Sequence, residues 1–207
     1  MSAPRKRKSP EVRRLEILDA AIAIGAERGL DAISTRDIAA RIDVAPGLIH
    51  HYFPSLDGLL AESFGRWADT SLRELQDLSR DVSPRMALAF TVARLTPDQR
   101  IWHDALSSAW RYTELRARAK SLSEDYLSHV EGLIRTGVAE GQFVCADPRL
   151  SAWRIILILD GAVAMVHILE LIDWQELSRI VGPVVERELA LPSETFTELI
   201  EAALLSS

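Results

Sequence analysis

Cysteine is nearly missing from this sequence: Cys145 is the only one in 207 residues. That excludes an internal disulfide framework and a multi-cysteine metal cluster, and it suits a reducing compartment. Cys145 itself reads as a small buried hydrophobe. Glycine and proline are sparse, at ten and nine residues, so collagen-like and low-complexity disordered classes fall away. No apolar run is clean enough to span a bilayer. The most apolar stretch, Ile155 to Ile172, contains Asp160, His167 and Glu170. Ionisable groups are costly in lipid, so it reads as a buried helix of a soluble bundle, with no membrane partner. The cations Arg5 to Lys8 are not followed by the apolar segment of a secretory signal, which leaves a cytoplasmic protein as the expectation.

Several chemical signatures are also missing. There is no phosphate-binding glycine loop, no metal-spaced set of His and Cys, and no nucleophile elbow, so neither an enzyme nor a resident metal or cofactor is expected. An all-α enzyme whose site is assembled across the fold, and a protein-interaction module that does not bind DNA, stand as the competing readings.

Hydrophobic residues make up 48% of the chain and charged ones 26%, which is enough apolar material for a sizeable core. The net charge of −6 is unevenly placed. Residues 1–56 carry nine Lys and Arg against seven Asp and Glu, a balance of +2, and the remainder carries fifteen against twenty-three, a balance of −8. A basic N-terminal part is a weak pointer to nucleic acid and needs a motif beside it. Nearly every segment has helical periodicity and none alternates like a strand, so the fold class is all-α with about nine or ten helices.

The first long helix is predicted from Pro10 to Arg28, with Ile17, Leu18, Ala21 and Ile24 as its buried stripe and Gly29 closing it. Two short helices follow, Thr35 to Ile42 and Pro46 to Tyr52, and a long one after Pro54-Ser55 carries Leu60, Phe64, Trp67, Leu75 and Leu78 on its apolar face. Ser83-Pro84, Thr96-Pro97 and Asp147-Pro148 mark further helix starts. A helix along Leu115, Leu122, Tyr126 and Val130 ends near Gly141, and two more run from Trp174 to Leu189 and after Ser193.

Function enters with the two short helices. Ser34-Thr35-Arg36-Asp37 has a capping residue with a carboxylate three positions on, the pattern of a capping box. Asp43-Val44 makes the turn, Asp being among the few non-glycine residues that tolerate a left-handed conformation. Pro46 starts the next helix at once. Two short helices joined this tightly have the dimensions of a helix-turn-helix, although an ordinary helical corner has the same spacing.

The segments Ile17-Leu18-Asp19-Ala20-Ala21, Arg28-Gly29, Ser34 to Ala39 and Leu48-Ile49-His50-His51-Tyr52-Phe53 occur in one order and spacing. Over residues 10–64 the chain resembles the TetR family of bacterial repressors. Pro46 to Phe53 is most similar to its BetI-type branch. The resemblance implies a basic flexible tail at 1–9, a helix-turn-helix DNA-binding domain at 10–55, and a C-terminal helical regulatory and dimerisation domain at 56–207. It implies a homodimer on palindromic double-stranded operator DNA, released by a small organic effector. Thr35 and Arg36 would meet phosphate or a base edge; Pro46, Gly47 and Leu48 would approach the groove floor; His50, His51 and Tyr52 would supply polar contacts. Ile49 and Phe53 read as core. The adjacent histidines point about a hundred degrees apart on a helix, without a carboxylate at partner spacing, and so make no metal site.

Three positions depart from the family pattern. Asp43 stands where Gly is common, Ala45 where Ser often caps the recognition helix, and Leu56 where Lys usually contacts a phosphate. The loss at Leu56 shifts the expected backbone contacts toward the tail from Arg5 to Lys8. In the larger part, Trp102, His103, Trp110, Tyr112, Trp153 and Trp174 are candidate walls for the effector. Trp153, Asp160 and His167 are spaced by sevens on one helical face. That face suits a dimer seam whose polar groups satisfy one another or, as the alternative, an organic cation held by charge and cation–π attraction.

Overall fold

The computed structural model describes residues 8–93 and 100–205, with only the backbone of Val163, His167 and Leu205. Helix α1 (Pro10–Arg28) begins where Ser9 accepts the Val12 N–H at 3.3 Å, and Pro10 occupies the first turn, where no intrahelical N–H is needed. It buries Ile17, Leu18, Ala21 and Ile24. Gly29, at φ +89°, ends it. A short 3-10 turn (Leu30–Ala32) follows that periodicity did not announce. Then come α2 (Thr35–Arg41), α3 (Pro46–Tyr52), α4 (Leu56–Ser79), α5 (Pro84–Ala93), α6 (Arg100–Ser108), α7 (Thr113–Ala139), α8 (Pro148–His167), α9 (Trp174–Glu188) and α10 (Thr195–Leu205). The fold is all-α, with no strand among the described residues.

Most predicted starts hold. Asp147 caps α8 by accepting the Leu150 N–H at 3.0 Å, and Asp173 with Glu176 forms a reciprocal capping box on α9. The start predicted at Thr96-Pro97 lies outside the described residues. On α4, Leu60, Phe64 and Leu75 are buried, but Leu78 is 45% exposed and is not core.

The chain divides into two compact units. One comprises the described residues up to Ala68 together with Ile101–Lys120; the other comprises the rest. Both α4 and α7 contribute residues to both units. The first unit therefore reaches beyond the helix-turn-helix motif. Within it the Asp57 carboxylate accepts the N–H groups of Glu114 and Leu115, both at 2.9 Å, and so caps α7. Asp104 accepts the Leu30 N–H at 3.0 Å, and Arg111 pairs with Asp31. In the second unit Leu88, Val130, Ile134, Leu159, Val181 and Phe196 are central to one apolar core. There the buried Glu186 carboxylate accepts the Phe196 N–H at 2.9 Å at the start of α10.

Candidate nucleic-acid interface

Ser34 is extended and begins α2: its hydroxyl accepts the Asp37 N–H at 3.1 Å. The expected capping box is half formed. The Asp37 carboxylate accepts a hydrogen bond from the Ser34 hydroxyl instead of from the Ser34 backbone N–H, and it faces Arg28 at 3.5 Å. Those two partners hold its carboxyl below the usual carboxylate range, the Ser34 hydrogen bond most strongly. Ile38 and Ala39 are buried against α1 and α3.

The turn is the one the sequence predicts. Asp43 has φ +55°, and the Val44 N–H returns to the Ala39 carbonyl at 2.9 Å. Ala45 leads into α3 with no side-chain cap. Replacing Ala45 with serine should supply one, raising the unfolding free energy by about 0.5–1 kcal/mol in urea titrations. An unchanged midpoint would mean that the added hydroxyl finds no N–H to accept.

Ile49 and Phe53 turn inward, at 0% and 3% exposure. That leaves Pro46, Gly47, His50 and His51 exposed on α3, beside Arg36 and Ala40 on α2, with Thr35, Leu48 and Tyr52 half-buried. The Thr35 hydroxyl lies 3.5 Å from His50 Nε2, and the His51 and Tyr52 rings meet edge to face at 5.5 Å. A Cβ added at Gly47 would meet nothing within 4 Å. Intramolecular packing therefore does not require glycine there.

Charge pairing separates one arginine from the others. Between residues 10 and 52, Arg13 pairs with Glu16, Arg14 with Glu62, Arg28 with Asp37 and Arg41 with Glu27. Among the described residues Arg36 has no ion-pair partner. It leaves an uncompensated cation at the start of α2, next to the exposed edge of α3.

Arg14 is a residue that the motif gave no reason to single out. Its guanidinium donates to the Tyr52 carbonyl at 3.0 Å, pairs with Glu62 and stacks 4.2 Å from the Phe53 ring centre. The signal for it lies in the fold, since those partners are 38 to 48 residues away. At the α4 start, Ser55 caps the helix by accepting the Gly58 N–H at 2.9 Å, and Leu56 is half-buried in its first turn. Of the tail's cations only Lys8 is described, paired with Glu16 at 2.7 Å; Arg5, Lys6 and Arg7 lie outside the described residues.

The effector candidates are divided between the units. Trp102, His103 and Trp110 belong to the first, and Trp153, Asp160 and His167 to the second. Trp102 packs on Phe64, with ring centres 5.4 Å apart, as core does. Trp110 is 90% exposed and forms no wall within its unit, because the turn between α6 and α7 carries it outward. On α8, Trp153 is 43% and Leu157 63% exposed, so this strip faces outward; the His167 side chain lies outside the described residues.

Asp160 is half-buried on that strip with no ion pair among the described residues. Burial raises its carboxyl to about 6. A carboxyl raised above its unfolded value stabilises the fold fully below the unfolded value, near pH 4, and that contribution is lost as pH rises through 6. Asp160→Asn should therefore stabilise the protein at pH 7.5 by about 2 kcal/mol, with the gain vanishing near pH 4. A gain that did not change with pH would contradict a desolvated carboxyl at this position.

A family model described as "Bacterial regulatory proteins, tetR family" matches residues 17–63. The transcriptional regulator BetI of Serratia proteamaculans is 33% identical over 162 residues, covering 72% of this chain and 78% of BetI. The transcriptional repressor KstR of Mycobacterium tuberculosis is 28% identical over 134 residues, covering 63% of this chain and 60% of KstR. For three KstR repressors the matched part spans only 26% to 60% of the relative's length. Among solved structures, a transcriptional regulator from Saccharomonospora viridis in complex with choline aligns with a TM-score of 0.76 at 20% identity. It covers 86% of this chain and 98% of that one. A TetR transcription regulator from Haloarcula marismortui aligns with a TM-score of 0.73 at 20% identity, over 87% and 97% of the two chains.

Proposed function

The chain belongs to the TetR family, and from that premise we propose that it is a transcriptional regulator, a repressor that loses its operator when a small organic effector binds. It works on DNA and not as an enzyme, with the cytoplasm as its place of action. No helix among the described residues is long and apolar enough to cross a membrane.

The observation that carries this reading is the exposed edge of α2 and α3. Arg36, without an ion-pair partner among the described residues, two exposed histidines and an open glycine lie on the exposed side of α2 and α3, away from the buried Ile38, Ala39 and Ile49. An α-helix fits the major groove, and phosphate contacts from a neighbouring helix set its register. We assign Thr35 and Arg36 to phosphate or a base edge, Pro46, Gly47 and Leu48 to close approach, and His50, His51 and Tyr52 to polar contacts. Tail cations would replace the phosphate anchor that Leu56 cannot supply.

A palindromic operator calls for two copies of α3, and hence a homodimer. The outward strip of Trp153 and Leu157 on α8, with the 51% exposed Ile180 on α9, supports a seam between copies. A second use of the strip has one observation in its favour. Asp160 lacks a cationic partner among the described residues and would suit an organic cation such as the choline held by the Saccharomonospora viridis regulator. Choline that weakens DNA binding would support this use, and choline without effect would exclude choline as the effector.

The test is a fluorescence-polarisation titration with DNA from upstream of the chain's own gene. Specific binding that falls steeply with salt supports the proposal, because released counterions dominate such binding. Equal affinity for unrelated duplex, or no binding, refutes it.

A further inference from the structure

We propose that Arg14 is a positioning residue for α3: it sets the angle at which that helix is presented to DNA and ties that angle to α4. The inference rests on the DNA-binding reading and names a residue outside the exposed edge.

Three features lead to it. First, α3 has only seven residues and no side-chain cap at Ala45, so no polar side chain fixes its first turn. Ile49 is its one buried residue, with Leu48 and Tyr52 half-buried and the Thr35 hydroxyl 3.5 Å from His50, so few groups set its roll. Second, the other end is gripped. Tyr52 is the last residue of α3, and its carbonyl is one of those a helix leaves without an intrahelical donor. Arg14 donates to it at 3.0 Å, placing a cation at the negative end of the helix. The same guanidinium covers the Phe53 ring, the next residue in the chain. Third, the remaining face of the guanidinium pairs with Glu62 on α4. One planar group thus joins α1, α3 and α4. A rigid planar fork fixes the directions of these contacts, which the rotating donors of an ammonium do not.

The competing role is a direct phosphate contact, since the Arg14 side chain is 39% exposed. The two roles predict opposite effects at Glu62. If Arg14 held phosphate, removing the neighbouring carboxylate would strengthen DNA binding. If Arg14 positions α3, removing its anchor loosens the helix and weakens discrimination.

The experiment compares binding of the upstream duplex with that of a shuffled duplex of equal length and composition, between 50 and 200 mM salt, for wild type, Arg14→Gln, Glu62→Gln and Asp19→Asn. Asp19 pairs with Arg66 across the same two helices at 2.8 Å, with similar exposure, and serves as the control. Exposed pairs contribute little to stability, so all three variants should fold, as thermal unfolding will report. The upstream-to-shuffled affinity ratio should fall about tenfold in Arg14→Gln, as when a base contact is misplaced, and several-fold in Glu62→Gln. It should not change in Asp19→Asn, and the salt slope should be that of wild type throughout. A ratio unchanged or raised in Glu62→Gln, a salt slope reduced by about one in Arg14→Gln, or an equal loss in Asp19→Asn would overturn the positioning role. A wild type with no preference for the upstream duplex would refute the DNA-binding reading itself.

Discussion

Exchanging Arg36 and His51 together for alanine should weaken binding to the upstream DNA by about a hundredfold or more while leaving the melting temperature unchanged. Both side chains are exposed, and among the described residues Arg36 has no carboxylate to neutralise it. The four other arginines between residues 10 and 52 are each committed to an ion pair within the protein. Removing Arg36 breaks no ion pair among the described residues, and His51 gives up only its edge contact with Tyr52, so the fold loses little. A lost base or phosphate contact costs about 1–3 kcal/mol. Two such contacts in each half of a dimer exceed the roughly 2.7 kcal/mol that corresponds to a hundredfold. Titration of the variant beside wild type, with circular dichroism to follow the fold, checks both halves. Undiminished affinity would move the interface away from α2 and α3.

The second large effect lies inside α7 and concerns stability alone. A Cβ built on Gly137 would fall 2.1 Å from Phe143 Cδ2 and 2.3 Å from Cε2. Phe143 is 3% exposed and is part of the core of the second unit, so its ring has no outward escape. Its backbone is held as well, because the N–H groups of Gln142 and Phe143 both reach the Gly137 carbonyl, at 2.8 and 3.1 Å. Gly137→Ala should therefore lower the unfolding free energy by about 2–3 kcal/mol, overpacking outweighing the gain in helix propensity. The same helix supplies the comparison. Nothing lies within 4 Å of a Cβ on Gly132, so Gly132→Ala should stabilise by about 0.5–1 kcal/mol. Denaturant unfolding of both variants would show opposite signs. Two equal losses would mean that Phe143 does not pack on Gly137.

What could be read from the residues was local. Pro10, Pro46 and Asp147-Pro148 announce helix starts because first-turn prolines and caps act between near neighbours, and α1, α3 and α8 begin where those residues place them. Asp43 marked the left-handed turn for the same reason. The half-formed box at Ser34 shows the limit, since spacing permits the reciprocal bond but the hydroxyl competes for the same carboxylate. Contacts that join distant segments left no trace. The Asp57 carboxylate caps α7 and Arg14 grips the end of α3, across 57 and 38 residues. Periodicity assigns Leu78 to a buried face that it does not have. Aromatic residues were legible as a class and not by location: Trp102 packs on Phe64, whereas Trp110 stands in solvent.

The central claim, that the exposed start of α3 enters the major groove, can be tested by cutting DNA from that position. Cys145 is the only cysteine, so Cys145→Ser with Ala45→Cys gives a single thiol at the exposed residue that leads into α3, beside the contacts assigned to DNA and not one of them. An iron chelate attached there and activated on the bound upstream duplex should cut in two compact clusters, one in each half-site. Cuts scattered along the duplex, or none while the protein stays bound, would contradict the account.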